Sequence, residues 1–372
     1  MRFKKWIGKI HLWLGLSSGL VVVFLGITGC ILAFQQEIEA VTQPYQYVKE
    51  QNKKVLLPSV IKPIAEKEVP GKHPHSVLYE KGKAAKVIFY GDDYYNLVYI
   101  DPYDGKVLKT KDMSLDFFRI IIMGHYQLWL PVAIGQPIVA TATLIFLVLM
   151  ITGIILWWPK NKAASKQRFK IKWNVRWRRR NYDLHNVLGF YMSWVAIFIA
   201  VSGLVMGFQW FARSFYAVTS GGEAIKAFYE PISKKQPLPN ASFSAVDELY
   251  KRAATVYTDG QTIEVHYPET DSSAVALAIN PLPGTYWKVD YTYYNQYTLA
   301  EMQVDHAFGR FENTSAADKI YRMNYDVHVG AIGGLPTKLL AFFASLIAAS
   351  LPVTGFIIWW GRRKKNTFVN QL

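Results

Sequence analysis

The chain has 372 residues, 51% of them hydrophobic and 15% aromatic, and carries a formal net charge of +15. Both fractions are high for a soluble protein. Nucleic-acid binding does not explain the charge. Residues 1–11, 159–184 and 361–372 hold 18 of the 42 Lys and Arg with one acid, Asp183, while the rest of the chain holds 24 basic and 26 acidic residues.

In chain order, residues 1–34 read as a first transmembrane helix. Arg2, Lys4, Lys5 and Lys9 lead into an apolar run over 12–34. That run is about twice the length of a signal-peptide core, and no small-x-small site precedes "QQEIE", so the segment is expected to be retained. Residues 35–135 form an outer segment. Its linker near 43–58 is rich in Pro, Lys and Gln. A short helix is expected over 57–67. Strands follow in "KVIFYGDDYYNLVYIDPYDGKVL", with a turn at Asp104-Gly105.

Residues 136–158 read as the second span, and 159–184 as a loop with ten Lys or Arg from Lys160 to Arg180. The third span is expected over 185–211, with its apolar run over 186–211. The second outer segment, 212–336, has a linker near 231–240, a helix in "SAVDELYKRAATVY", and strands in "TIEVHYP", "AVALAIN" and "TYWKVDYTYYNQYTLAEMQV". The fourth span covers 337–360, and 361–372 is a basic tail. A helix needs about 20 apolar residues to cross the hydrocarbon core, and the four apolar runs contain no Asp, Glu, Lys or Arg. The positive-inside rule places both termini and the 159–184 loop in the cytoplasm and the two long segments outside. The single cysteine, Cys30, falls in the first span. Disulfides, CxxC pairs and CxxCH haem attachment are therefore excluded. No Walker, GxGxxG, HExxH or GxSxG motif occurs.

The chain repeats itself. "HLWLGLSSGLVVVFLGITGCILAF" aligns with "HNVLGFYMSWVAIFIAVSGLVMGF", His11 on His185 and Thr28-Gly29 on Ser202-Gly203. "ITGIILWWPK" aligns with "VTGFIIWWGR". "FFRIIIMGH" and "IYRMNYDVH" each place an arginine, Arg119 or Arg322, six residues before a histidine, His125 or His328. The expected fold is a mainly α membrane protein: a four-helix transmembrane bundle of two tandem repeats, with α+β modules between spans 1–2 and 3–4.

Four of the eight histidines occupy repeat-matched membrane-edge positions. The other four, His73, His75, His266 and His306, have no repeat partner. A two-fold relation would bring His11 near His185 and His125 near His328. Two imidazoles facing across a bundle suit the axial positions of a b-type haem iron. Gly15 and Gly189, four residues after their histidines, would leave room for the ring. Pro131, Gly135 and Pro137 must break the chain between His125 and Trp158, and "VGAIGGLP" must do so in the second half. His125 and His328 are thus expected to end short helices on the outer membrane surface. Lys9 and Arg178–Arg180 inside, and Arg119 and Arg322 outside, are candidate partners for haem propionates. Other readings stay open. Zinc would want four ligands, an ion-coupled transporter would want an intramembrane charge, and a histidine at the headgroup level can be purely structural.

The paired His-x-x-Leu-Gly spans, "TGIILWWP" and "YIDPYDGKVL" resemble the PepSY-associated transmembrane proteins over essentially the whole chain. "YIDPYDGKVL" is similar to the end of a PepSY module, while the second module, ending near "YYNQYTLAEM", lacks the Asp-Gly turn. The resemblance implies a bacterial inner-membrane protein of iron uptake. It implies two haems b on His11, His185, His125 and His328, and reduction of a ferric siderophore or other ferric chelate in the periplasm, releasing Fe(II). Lipid is the surrounding partner, and no nucleic-acid partner is expected. No cytoplasmic segment is long enough for a nicotinamide or flavin domain, so a quinol, a reduced flavin or a separate protein must donate the electrons. The alternative is a non-catalytic, membrane-anchored PepSY regulator or partner-binding subunit.

Overall fold

The computed structural model describes residues 2–159, 161–162, 165, 168–234, 244–256 and 260–369. Lys160 and Lys166 of the basic loop, residues 235–240 of the second linker, Tyr257 and the last three residues of the tail lie outside the described residues. The chain forms two compact units. One is built from residues 1–35, 121–214 and 324–372, the other from residues 36–120 and 215–323.

The first unit is helical. Its long helices are α1 (Arg2–Ala33), α5 (Val132–Trp157), α6 (Trp177–Gly207) and α10 (Leu335–Val369). Stretches of 26 to 31 residues in these helices are long and apolar enough to cross a membrane. Helices α1 and α6 begin before their apolar runs, because Lys and Arg are good helix formers and no proline intervenes. His11 and His185 therefore sit inside continuous helix rather than at a helix end. The third span also stops earlier than expected: Phe208 is extended at φ −131°, and α7 (Gln209–Ser220) starts afresh.

The four helices pack in the ring order α1–α5–α6–α10, each on two neighbours. Small residues make this possible. Ala196, Ala200, Ala344 and Ala348 are buried between Met150 and Met192. At Gly26 the backbones approach so closely that a Cβ would lie 2.7 Å from the carbonyl oxygen of Ser345.

The break between His125 and Trp158 is present. Helix α4 (Phe117–Gln127) ends just after the histidine, and α5 starts behind Pro131. Gly135 and Pro137 make no break and lie within α5. The reversal is instead made by Leu128 and Trp129, both at φ +56°. For residues with side chains this is a strained conformation, at about 1–3 kcal/mol each. After α9 (Ala316–His328), glycines take the left-handed positions at no steric cost, with Gly330 at φ +75° and Gly334 at φ +66°.

The second unit is built on one antiparallel sheet of eight strands, β1 (Ser76–Glu80), β2 (Ala85–Tyr90), β3 (Tyr95–Ile100), β4 (Val107–Asp112), β5 (Thr262–His266), β6 (Ala274–Asn280), β7 (Asp290–Asn295) and β8 (Glu301–Met302). The strand order is β4-β3-β2-β1-β5-β6-β7-β8. The two outer segments thus do not keep separate sheets. They join where β1 pairs with β5, from Ser76 opposite His266 to Glu80 opposite Thr262. The expected turn at Asp104-Gly105 lies between β3 and β4, with Gly105 at φ +76°.

Helices α3 (Pro58–Glu68) and α8 (Ala245–Val256) cover one face of the sheet. Ile61, Ala65, Leu249 and Ala253 pack on Val77, Val87, Val98, Val265 and Val275. Asp247 ties the two helices by accepting from the backbone N–H and hydroxyl of Ser59 at 2.8 and 2.5 Å. Helix α2 spans Gln35–Thr42.

Candidate functional site

Each repeat-matched histidine is held in the same way. Nδ1 of His11 on α1 lies 2.9 Å from the hydroxyl of Thr152 on α5. Nδ1 of His185 on α6 lies 2.9 Å from that of Thr354 on α10. Nδ1 of His125 on α4 lies 2.8 Å from the hydroxyl of Thr28 on α1. Nδ1 of His328 on α9 lies 3.3 Å from the hydroxyl of Ser202 and 3.0 Å from the carbonyl of Ile199, both on α6.

A glycine follows every one of these hydroxyl residues and sits against the imidazole edge. A Cβ at Gly153, Gly355 or Gly203 would come within 3.4, 3.2 or 3.1 Å of Cε1 of His11, His185 or His328, and one at Gly29 within 3.7 Å of Cε1 of His125. The hydroxyl–glycine pair is therefore a cradle: the hydroxyl holds Nδ1 and the glycine makes room for the ring.

The cradles lie at two levels. His11 and Thr28 are 17 residues apart on α1, as are His185 and Ser202 on α6, or about 26 Å at 1.5 Å per residue. At one level the rings of His125 and His328 meet edge to face, with their centres 6.1 Å apart. Both side chains reach the long helices, His125 against Gly29 and His328 against Gly203. At the other level, His11 and His185 line a cavity of about 470 Å³ between the four long helices. Ligand sites of about 300–1,000 Å³ are usual. Gly15 and Gly189 line this cavity, as expected, but Gly153 and Gly355 are the glycines against the imidazoles.

Arg362, itself exposed, lines the cavity, while Lys9 is exposed and outside the lining, and Arg179 pairs with Asp183 at 2.9 Å. Trp157 also lines it, stacked on Phe190, and its buried indole N–H has no partner among the described residues. Also among the described residues, no group of three or more His, Cys, Asp or Glu is placed to hold a metal ion. The donor set at each level is thus two imidazoles in apolar, glycine-lined surroundings. It suits an iron whose remaining ligands come from a macrocycle.

The two arginines of the repeated motif belong to the sheet unit. Arg119 lies over the ring of Tyr95 at 5.4 Å, and Arg322 over Tyr291 and Phe311 at 5.6 and 5.4 Å. Arg322 donates to the carbonyls of Val289 and Ala307. Its Nε has no partner among the described residues, and burial pushes the guanidinium pKa down. Elsewhere in that unit, His306 is satisfied by the carbonyl of Tyr229 and the N–H of Phe308. His75 and His266 meet edge-to-face at 4.8 Å on the β1–β5 seam.

Sequence reasoning missed Thr152, Thr354, Gly153, Gly355 and Arg362 as site residues and read Thr28-Gly29 and Ser202-Gly203 only as alignment marks. The recurrence of a Thr/Ser-Gly pair in all four spans was the available signal.

The model of the PepSY-associated TM region matches residues 9–362. No curated protein matches the chain significantly. With that match over nearly its whole length, and four apolar helices long enough to cross a membrane, this chain belongs to the family of PepSY-associated transmembrane proteins.

Proposed function

We propose that the chain is a di-haem b oxidoreductase of the bacterial inner membrane that delivers electrons to a ferric siderophore or similar chelate in the periplasm and releases Fe(II). The observation that carries this reading is the fourfold cradle, which presents imidazoles in two pairs about 26 Å apart along the helices, close to the roughly 30 Å thickness of the hydrocarbon core. His11 and His185 would hold one haem, and His125 and His328 the other. Haem, when bound, supplies reversible one-electron chemistry at a potential set by ligation, burial and local charge.

The chain's own residues do the rest. The hydroxyl–glycine cradles orient the imidazoles. The apolar helix surfaces keep water away. Arg362 at the cavity is the proposed cation for a propionate. The substrate Fe(III) takes up one electron, and its chelator then holds it less tightly, so no nucleophile or proton-transfer residue is required. The donor is a separate quinol, reduced flavin or protein. Both termini and the basic loop face the cytoplasm in this reading, and the two outer segments are PepSY-like modules of a duplicated unit.

Dithionite-reduced protein should reoxidise when a ferric hydroxamate or catecholate is added, with Fe(II) captured by ferrozine. Reduced protein that stays reduced with every ferric chelate tried would overturn the reductase role. Colourless protein would leave the regulator reading instead.

A further inference from the structure

The hydroxyls that hold the histidines are also bonded to their own helices. Thr152 donates to the carbonyl of Val148 at 2.8 Å, Thr354 to that of Ser350 at 3.0 Å, Thr28 to that of Phe24 at 2.8 Å and Ser202 to that of Ile199 at 2.9 Å. A hydroxyl has one hydrogen and two lone pairs. Once that hydrogen goes to the backbone, only a lone pair is left for the imidazole, and the imidazole nitrogen must be the donor. At His328 the same conclusion follows directly, because its nearer partner is the Ile199 carbonyl, which can only accept.

We infer that Thr28, Thr152 and Thr354 are positioning residues, with the Ile199 carbonyl taking that part at His328, and that together they fix all four histidines as the Nδ1–H tautomer, turning the Nε2 lone pair of each toward the cofactor. The inference about cofactor tuning rests on the haem reading; the tautomer does not. The four positions are not equal. Nδ1 of His125 has the Thr28 hydroxyl as its hydrogen-bond acceptor. Nδ1 of His328 has a backbone carbonyl at 3.0 Å and the Ser202 hydroxyl only at 3.3 Å. A side-chain substitution can remove the first acceptor but not the second. A lost Nδ1–H acceptor makes the imidazole a poorer electron donor to the metal. The haem held by His125 and His328 should therefore respond to Thr28 and be nearly indifferent to Ser202.

Two measurements on the full-length chain in nanodiscs test this. The first is solid-state ¹⁵N NMR of histidine-labelled protein from haem-deprived cells, with signals assigned by single His→Ala variants. The expected result is a protonated Nδ1 and an unprotonated Nε2 at His11, His125, His185 and His328. A protonated Nε2 at any of these would overturn the assignment there. The second is a spectroscopic redox titration of the haem-loaded protein. Thr28→Val should raise the midpoint of one haem and leave the other in place, Thr28→Ser should restore it, and Ser202→Ala should move neither. Equal shifts from Thr28→Val and Ser202→Ala, or no shift from either, would overturn the proposed inequality. If the chain binds no haem yet shows the Nδ1–H tautomers, the proposed function fails while the tautomer assignment stands.

Discussion

The two histidine pairs share one cradle and differ in what surrounds it. His11 and His185 lie inside long continuous helices and open on a cavity of about 470 Å³. His125 and His328 end short helices, and their ring centres stand 6.1 Å apart. Behind His125 the chain turns through the strained Leu128 and Trp129, whereas behind His328 it turns through Gly330. The holding chemistry is thus duplicated four times, while space, strain and backbone support are not. Two cofactors bound in this way would have identical ligands and different environments. Ligands kept constant with surroundings varied is an arrangement that sets two unequal potentials.

The sharpest way to break this comparison is to remove ligands one at a time. Alanine at His11 or His185 should abolish one haem, and alanine at His125 or His328 the other, each halving the haem content by pyridine haemochrome assay. Loss of both haems from any one substitution, in protein that stays folded, would show that the pairs are wrongly drawn.

Arg322→Ala comes next. Its side chain is 5% exposed and ties Val289 and Ala307 together. Its loss should lower the stability of the sheet unit by about 1–3 kcal/mol, seen as earlier hydrogen exchange in β7. Unchanged exchange would argue that the arginine serves something other than packing.

The glycines sharpen the comparison further. Gly203→Ala and Gly355→Ala put a methyl group 3.1–3.2 Å from an imidazole, whereas Gly29→Ala meets His125 at an ordinary 3.7 Å. The first two should cost about 1–3 kcal/mol and lower haem occupancy at one site each. Gly29→Ala should spare haem occupancy more. Equal losses in all three would mean the cradle is not set by ring contact.

The smallest expected effect lies on the β1–β5 seam. Burial pushes the pKa of His266 down, opposed by Glu264, with His75 adding to the depression and Glu230 also opposing it. A depressed histidine favours the fold above its unfolded pKa of about 6.5. The stabilisation is lost as pH falls from there through the folded value. The protection of β1 and β5 amides, taken relative to their intrinsic exchange rates, should therefore fall as pH is lowered below about 6.5, and His266→Gln should flatten that dependence. Protection independent of pH in the native protein would remove His266 from the seam's energetics.

Much of this was legible in the sequence, for physical reasons. Some twenty apolar residues without a charge have few alternatives to a membrane helix. His11, His125, His185 and His328 stood out because each has a copy at the matching position. The cradle was only half visible. The Thr/Ser-Gly pairs aligned, but their partners lie far away in sequence, 141 residues between His11 and Thr152 and 97 between Thr28 and His125. Nothing local marks such a contact. The β1–β5 junction was hidden for a similar reason. "SVLYE" is a five-residue strand behind His-Pro-His, and its pairing across 188 residues leaves no trace in either segment. Arg362 was read as part of a basic tail, because a positive-inside signal and a cavity-lining cation look alike until the helix is built.

The most direct test of the whole account is the haem-to-protein ratio of the purified chain, read together with its reduced-minus-oxidised spectrum. The account predicts two haems b per chain, both low-spin with bis-imidazole ligation, titrating at two separate midpoints. Protein that is fully folded yet takes up no haem on reconstitution would contradict it.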